Sequence, residues 1–282
     1  MDCMFATPAL ALQIDGAEGR LCEEIADAVG RRRPDARVGV WPVAGGVAVF
    51  AGAGAPANKV VALGLDHGPD ARAMDVIEQE WQARGEPVRI ELSTLADPRV
   101  GADLTGRGYQ LAGFENVLGL SLDVLTSPPA SGVRIEPVSA DTDSAWMTVM
   151  LDGFGVPDEG PPAEQHDRSL IEGLFRDMAD ARHFSRYLAT VDGVPVGAAS
   201  LRLDGTVAQL CGAATLPAHR RKGVQSALLA SRLVIARNAG CEIGVVTTQP
   251  GSKSAQNADR RGFRLLYARA VLVKTPGPDA RL

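Results

Sequence analysis

The chain predicts two α/β domains in tandem, each a mixed, mostly antiparallel sheet flanked by helices. Three observations carry that expectation. The length of 282 residues exceeds the common single-domain size of about 100–200. The run Thr126-Ser127-Pro128-Pro129-Ala130-Ser131-Gly132 is rich in proline and small polar residues, as linkers are. Both halves show strand and helix periodicities in the same order, and Arg107-Gly108-Tyr109-Gln110-Leu111 falls on Arg261-Gly262-Phe263-Arg264-Leu265 at a constant offset of 154 residues, with Ser93-Thr94 falling on Thr247-Thr248. The expected boundaries are a first domain over 1–126, a linker over 127–132 and a second domain over 133–282.

In the first half, residues 19–33 have helical spacing through Leu21, Ile25 and Val29, and 38–51 read as strand with a turn at Gly45-Gly46. Residues 59–65 form an apolar strand-like run, 71–84 a helix with Met74, Ile77 and Trp81 on one face, and 88–92 a further strand. In the second half, 133–138 is a strand, and Asp141 or Thr142 can cap a helix to about Leu151. A second helix is expected over 163–179, and Asp192-Gly193 turns a hairpin between 187–191 and 196–203. A strand over 207–216 leads through Pro217 into a helix over 222–238, followed by a strand over 242–248, a short helix over 252–261 and a closing strand over 263–274.

Composition narrows the class. A hydrophobic fraction of 45% with 22% charged residues excludes both a disordered chain and a membrane bundle, and no apolar run reaches the roughly 18 residues of a membrane span. The start, Met1-Asp2-Cys3-Met4-Phe5, has no basic segment followed by a sustained apolar one, so the expectation is a cytoplasmic protein. Cys3, Cys22, Cys211 and Cys241 form no CxxC pair, which argues against a metal site and a disulfide framework.

Charge is unevenly placed. Residues 1–130 carry 11 basic and 18 acidic side chains, whereas 219–269 hold ten Lys/Arg against Glu242 and Asp259 alone. Such a basic stretch suits a polyanion. Nucleic-acid surfaces interleave aromatics for stacking, and aromatics here are sparse, so a small phosphorylated ligand fits better.

The segment Thr215-Leu216-Pro217-Ala218-His219-Arg220-Arg221-Lys222-Gly223-Val224-Gln225-Ser226-Ala227-Leu228-Leu229 lies where a strand hands over to a helix. The first backbone amides of a helix lack internal partners and sit at the positive end of its dipole, so a phosphate is held there without a dedicated side chain. Gly223 permits close backbone approach, and Arg220, Arg221 and Lys222 bring counter-charge to the same mouth.

In these residues the chain resembles the GNAT superfamily of N-acetyltransferases, whose pyrophosphate loop follows Arg/Gln-x-x-Gly-x-Gly/Ala. Arg220 and Gly223 match the first and fourth positions, Pro217 stands three before the Arg, and Gln225 departs from the usual small residue. The Arg-Gly-Phe at 261–263 extends the resemblance over 133–274. It implies a tandem GNAT-like architecture and a cofactor, acetyl-CoA or another acyl-CoA, held by Ala214, Thr215, Leu216, Arg220, Arg221, Lys222, Gly223, Val224, Gln225 and Ser226, with Ser254 and Asn257 as polar contacts and no metal.

The resemblance also implies direct attack of an amine on the thioester, with the backbone N–H of Thr215 as oxyanion donor, a role worth about 3–4 kcal/mol in a dry site. A base must take the amine proton and an acid must serve the departing thiolate. Many members place a Tyr acid five residues before the Phe of the Gly-Phe pair, where this chain has Ala258. Gln209 and Cys211 alternate with Leu210 on the central strand and are the cleft-facing candidates. His183, Asp152 and Glu164 fall in segments that shape acceptor pockets, while His219 reads as part of an exposed turn.

At the corresponding place in the first half, Asp66-His67-Gly68-Pro69-Asp70-Ala71-Arg72 has one Gly, two carboxylates and no basic cluster. This resembles a GNAT fold without its pyrophosphate loop. The resulting expectation is an N-acyltransferase acting on a small-molecule amine as a monomer or homodimer, without nucleic-acid or membrane partners. The alternative is an acyl-CoA-binding sensor or accessory module without turnover.

Overall fold

The computed structural model describes residues 5–123, 132–156 and 167–276. In chain order its elements are α1 (Pro8–Arg32), β1 (Gly39–Val43), β2 (Gly46–Phe50), β3 (Lys59–Val61), α2 (Ala71–Gln82), β4 (Val88–Ser93), α3 (Pro98–Gly106) and β5 (Gln110–Ser121). There follow β6 (Arg134–Pro137), α4 (Asp143–Phe154), α5 (Arg168–Met178), β7 (Phe184–Val191), β8 (Val194–Asp204), β9 (Val207–Gln209), β10 (Ala213–Thr215), α6 (Val224–Asn238), β11 (Ile243–Thr248), α7 (Lys253–Asp259) and β12 (Arg264–Lys274). This is the expected α/β fold.

Packing divides the chain into one unit of Met1–Val117 with Leu265–Leu282 and another of Leu118–Arg264. The division differs from the expected one because β12, the last strand, packs with the first unit. Residues 127–131 of the expected linker lie outside the described residues.

In the first unit the strands run in the order β1-β2-β3-β4-β12-β5. Helix α1 starts eleven residues before the expected position, with Thr7 capping it by accepting from Leu10 N and Pro8 in its first turn. Asp15 hides that earlier start in the sequence, since a carboxylate interrupts the apolar face, yet it is fully buried. Strand β3 is shorter than the apolar run suggests. It pairs on both sides over the same residues, with β2 (Val47↔Val61, Val49↔Lys59) and with β4 (Val60↔Ile90). Helix α2 is capped by Asp70, whose side chain accepts from Ala73 N at 3.0 Å.

The centre of this unit is charged. Arg269 on β12, with 1% of its side chain exposed, lies 2.5 Å from Asp15, 2.6 Å from Glu18, 3.1 Å from Glu91 and 3.7 Å from Glu115. Lys59 pairs with Glu18 and Glu91, Arg89 stands 3.9 Å from both Glu91 and Glu115, and Tyr267 donates to Asp15. Removing one member of such a buried set leaves uncompensated charge, which typically costs about 3–5 kcal/mol. The carboxylates differ in their fate. Burial and the Glu91 charge push Glu115 up to about 7, whereas Arg269 and Lys59 overcome burial and draw Glu18 down to about 2.

In the second unit the order is β5-β11-β9-β8-β7-β6, with β10 paired to β8. Its core joins Leu118 and Leu122, Tyr187 and Ala189 of β7, Val196, Ala199 and Leu201 of β8, Val224, Leu228 and Leu233 of α6, and Ala258 with Phe263. The repeated Arg-Gly-aromatic triplet is a helix exit in each unit. Gly108 (φ +87°) and Gly262 (φ +89°) are left-handed, and the next residues donate back in the same way, Tyr109 N to Leu104 O at 3.1 Å and Phe263 N to Ala258 O at 3.2 Å.

The charge cluster gives a pH-dependent prediction. Because the folded-state value of Glu115, about 7, lies above its ordinary 4.5, this group favours the folded state at low pH and loses that contribution as pH rises through the interval. The melting temperature of Glu115→Gln relative to wild type should therefore improve between about pH 5 and pH 8. A difference that stays constant with pH would contradict the assignment.

Candidate active site

The strand expected over 207–216 is interrupted, and the interruption makes the site. Leu210 N donates to Val245 O at 2.9 Å, the last bond of the parallel pairing between β9 and β11. Gly212 then turns left-handed (φ +58°), and the chain continues as β10 paired only with β8 (Ala213↔Ala199, Thr215↔Gly197). A Cβ on Gly212 would approach the Met150 side chain at 3.2 Å and Phe175 at 3.7 Å, so glycine serves both the turn and the packing. The carbonyl freed by the turn accepts from Ser200 N at 3.2 Å and from the buried Arg232 at 3.4 Å.

Register fixes where the backbone points. The bonds Ser200 N→Gly212 O and Leu216 N→Val196 O (3.0 Å) alternate along the β10–β8 ladder, so Thr215 falls in a non-hydrogen-bonded pair and its N–H and C=O point away from β8. They face the side from which β11 has departed. The Thr215 hydroxyl is buried and without a partner among the described residues.

Past β10 the chain makes a single 3-10 turn over Pro217–His219. Arg221 (φ +62°) and Gly223 (φ +80°) are left-handed, and α6 begins with no side-chain cap. Its first internal bond is Ala227 N→Gly223 O at 2.9 Å, so the amides of Val224, Gln225 and Ser226 open the helix as free donors in the manner of any uncapped start. Arg221, Lys222 and Gly223 are exposed, while Val224 is buried against the core.

The remaining candidates divide by their contacts. Gln209 accepts from Arg202 at 2.8 Å, and Arg202 also pairs with Asp204 at 2.9 Å, so Gln209 sits in a polar group of its own. Cys211 directs its thiol to Gln209 O at 3.6 Å. Gln225 accepts from Asn257 at 2.8 Å, which joins α6 to α7, and Ser254 is exposed. The Arg220 guanidinium donates to the carbonyls of Gly153 (3.1 Å), Val156 (2.6 Å) and Thr215 (3.4 Å). Asp152 pairs with Arg168 at 2.8 Å, His183 occupies a left-handed turn at φ +54°, and Glu164 lies outside the described residues.

Ala258 is 4% exposed within the core, the counterpart of the buried Leu104 at the other helix exit, so that position faces inward. Tyr187 is buried in the same core.

Three contributors carried no recognisable signal in the sequence. Gly153, in the last turn of α4, lies so close to β10 that a Cβ there would approach that of Ala214 at 2.6 Å and Thr215 N at 3.4 Å. Gly212 hides in an apolar run. Arg232 sits on the buried face of α6, bonded to Leu228 O and Ser200 O, and burial lowers it to about 10. Among the described residues, no group of three His, Cys, Asp or Glu side chains is placed to hold a metal ion, and no helix is long and apolar enough to cross a membrane.

Comparison with known proteins agrees with this geometry. Residues 151–263 match the acetyltransferase (GNAT) family model. No curated protein matches the sequence significantly. Among solved structures, a GCN5-related N-acetyltransferase from Kribbella flavida is similar at a TM-score of 0.64 with 18% identity, over 93% of this chain and 97% of that one. A tandem GNAT protein from the clavulanic acid biosynthesis pathway is similar at 0.59 with 12% identity, over 83% and 79%, and a GCN5-related N-acetyltransferase from Sphaerobacter thermophilus at 0.56 with 15% identity, over 74% and 69%. Acyl transfer from acyl-CoA is the reaction of the family. The splayed strand and the uncapped helix both lie within residues 151–263, the stretch that matches the GNAT acetyltransferase family model.

Proposed function

We propose that the protein is an N-acyltransferase that moves an acetyl or other short acyl group from acyl-CoA to an amine of a small molecule. The observation that carries this is the parting of β10 from β11 with the Thr215 N–H directed into the gap. A thioester lying there would place its carbonyl oxygen on that N–H, which stabilises the charge developed as the amine attacks. The amides of Val224, Gln225 and Ser226 would take the pyrophosphate at the positive end of α6, with Gly223 leaving the backbone accessible and Arg221 and Lys222 adding counter-charge. Ala214 and Leu216 would flank the pantetheine. Asn257 and Ser254 would approach the cofactor from α7.

The amine must arrive uncharged, and the thiolate must leave. Cys211 and Gln209 are the polar side chains before Gly212 on the interrupted strand; neither is a strong base, so water relayed from the cleft fits the proton transfer better. We read the first unit as a GNAT-like fold that has lost its cofactor site. Its β3 pairs on both sides and opens no gap, and the Asp70 carboxylate caps the start of α2 by accepting from Ala73 N. The reading takes the protein as a cytoplasmic monomer or homodimer with no nucleic-acid partner.

The buried Ala258, where many relatives carry a tyrosine, favours a second reading: an acyl-CoA-binding module without turnover. Thiol release from acetyl-CoA against a panel of amines separates the two, since binding without release under any amine would leave only the module.

Two further outcomes test the site. Gly223→Val places a branched side chain at a left-handed position, a strain of about 1–2 kcal/mol, and should weaken CoA binding at least about tenfold by calorimetry with the far-ultraviolet spectrum unchanged. Unchanged affinity would remove the loop assignment. Titration of the whole chain should saturate near one CoA per chain; two equivalents of similar affinity would restore a site to the first unit.

A further inference from the structure

Arg220 occupies the first position of the phosphate loop, yet its guanidinium is turned to the protein's own backbone. One Nη donates to Gly153 O and Val156 O, at 3.1 and 2.6 Å, and Nε lies 3.4 Å from Thr215 O. The first belongs to the last turn of α4 and the second lies two residues past its end, a region where the last helical carbonyls have no helical partner and the dipole is negative, which favours a cation. The third belongs to the residue whose N–H faces the gap.

The turn held in this way is in close contact with β10. Gly153 stands against Ala214 and Thr215 N with no room for a side chain. Met150 and Phe175 close over Gly212, with Phe154 packed edge-on against Phe175 at 5.7 Å. The end of α4 therefore forms the wall beside Thr215 N, and the Arg220 guanidinium bonds to both sides of that contact, at Gly153 O and Thr215 O. In the other direction Arg220 is joined through Arg221 and Lys222 to Gly223, all within the loop that precedes α6.

We infer that Arg220 is a positioning residue rather than a phosphate ligand: its three-carbonyl clamp locks the last turn of α4 beside Thr215 N, so that filling the phosphate loop and setting the acyl wall are a single event. The inference rests on the acyltransferase reading above. A planar guanidinium can serve several carbonyls at fixed angles, whereas the ammonium of lysine at the same position cannot reproduce that fork.

The test uses the full chain with CoA as the probe, in wild type, Arg220→Lys and Arg220→Met. Calorimetry reads CoA affinity, and amide hydrogen exchange reads residues 149–156 and the start of α6 with and without CoA. In wild type, CoA should slow exchange at both places. In the variants CoA affinity should stay within about threefold and the protection at the start of α6 should remain, while the CoA-dependent protection at 149–156 is lost.

A loss of affinity of about tenfold or more in Arg220→Lys would make Arg220 a phosphate ligand and overturn the inference. Protection at 149–156 that persists in both variants would also overturn it. If neither variant folds, wild type decides alone, because CoA binding without slowed exchange at 149–156 contradicts the coupling. Failure of wild type to bind CoA at all would instead sink the acyltransferase reading.

Discussion

A strand in the middle of a sheet cannot stop pairing on one side without finding other partners for its backbone, because a buried unpaired N–H or C=O costs as much as a lost hydrogen bond. The segment from Leu210 to Thr215 meets that demand unevenly. Gly212 directs its carbonyl to Ser200 N and Arg232, Thr215 O receives Arg220, and the ladder to β8 takes every second residue. Directed to the open side are the N–H of Thr215 and, one pair earlier, the backbone of Ala213. The rest of the second unit is arranged around that open side: α4 covers one face of β10, α6 starts just beyond it, and the half-buried Arg220 and the buried Arg232 act as backbone partners in place of a missing strand.

Much of this was legible in the residues, and the parts that were not have physical reasons. The loop from Pro217 to Gly223 and the start of α6 announce themselves because glycine, the basic cluster and the apolar face are local signals. The strand break was hidden because Val207-Ala208-Gln209-Leu210-Cys211 reads as one apolar run, and a single glycine inside a strand marks a bulge as readily as it marks nothing. The first turns of α1, before the expected start at residue 19, were hidden because Asp15 interrupts the apolar face and nothing nearby in sequence reveals that its cationic partner arrives from β12. The contacts of Arg220 were equally hidden, for its carbonyl partners at 153 and 156 lie at the end of α4 and just past it, 67 and 64 residues earlier in the chain.

The two units differ in what they bury at matching places. Both keep the left-handed glycine exit with its backward hydrogen bond, which is a backbone requirement and survives changes of side chain. At the heart of the first unit, however, lies a set of four carboxylates with Lys59 and Arg269, where hydrophobic residues of similar volume would often be as stabilising. A network of that kind tolerates one arrangement and penalises near misses, so it fixes the register of β12 between β4 and β5 more sharply than Val271 and Leu272 would by packing alone.

The membership of β12 in the first unit bears on the order of synthesis. Domains usually fold as they emerge, the earlier one first. Here Glu91, besides pairing with Lys59, must wait for Arg269, 178 residues further along the chain, an interval of roughly 9 to 36 s at ribosomal speeds of about 5–20 residues per second. Until that strand arrives, the sheet of the first unit lacks its member between β4 and β5, and the carboxylates of Asp15, Glu18, Glu91 and Glu115 lack the guanidinium on which all four converge.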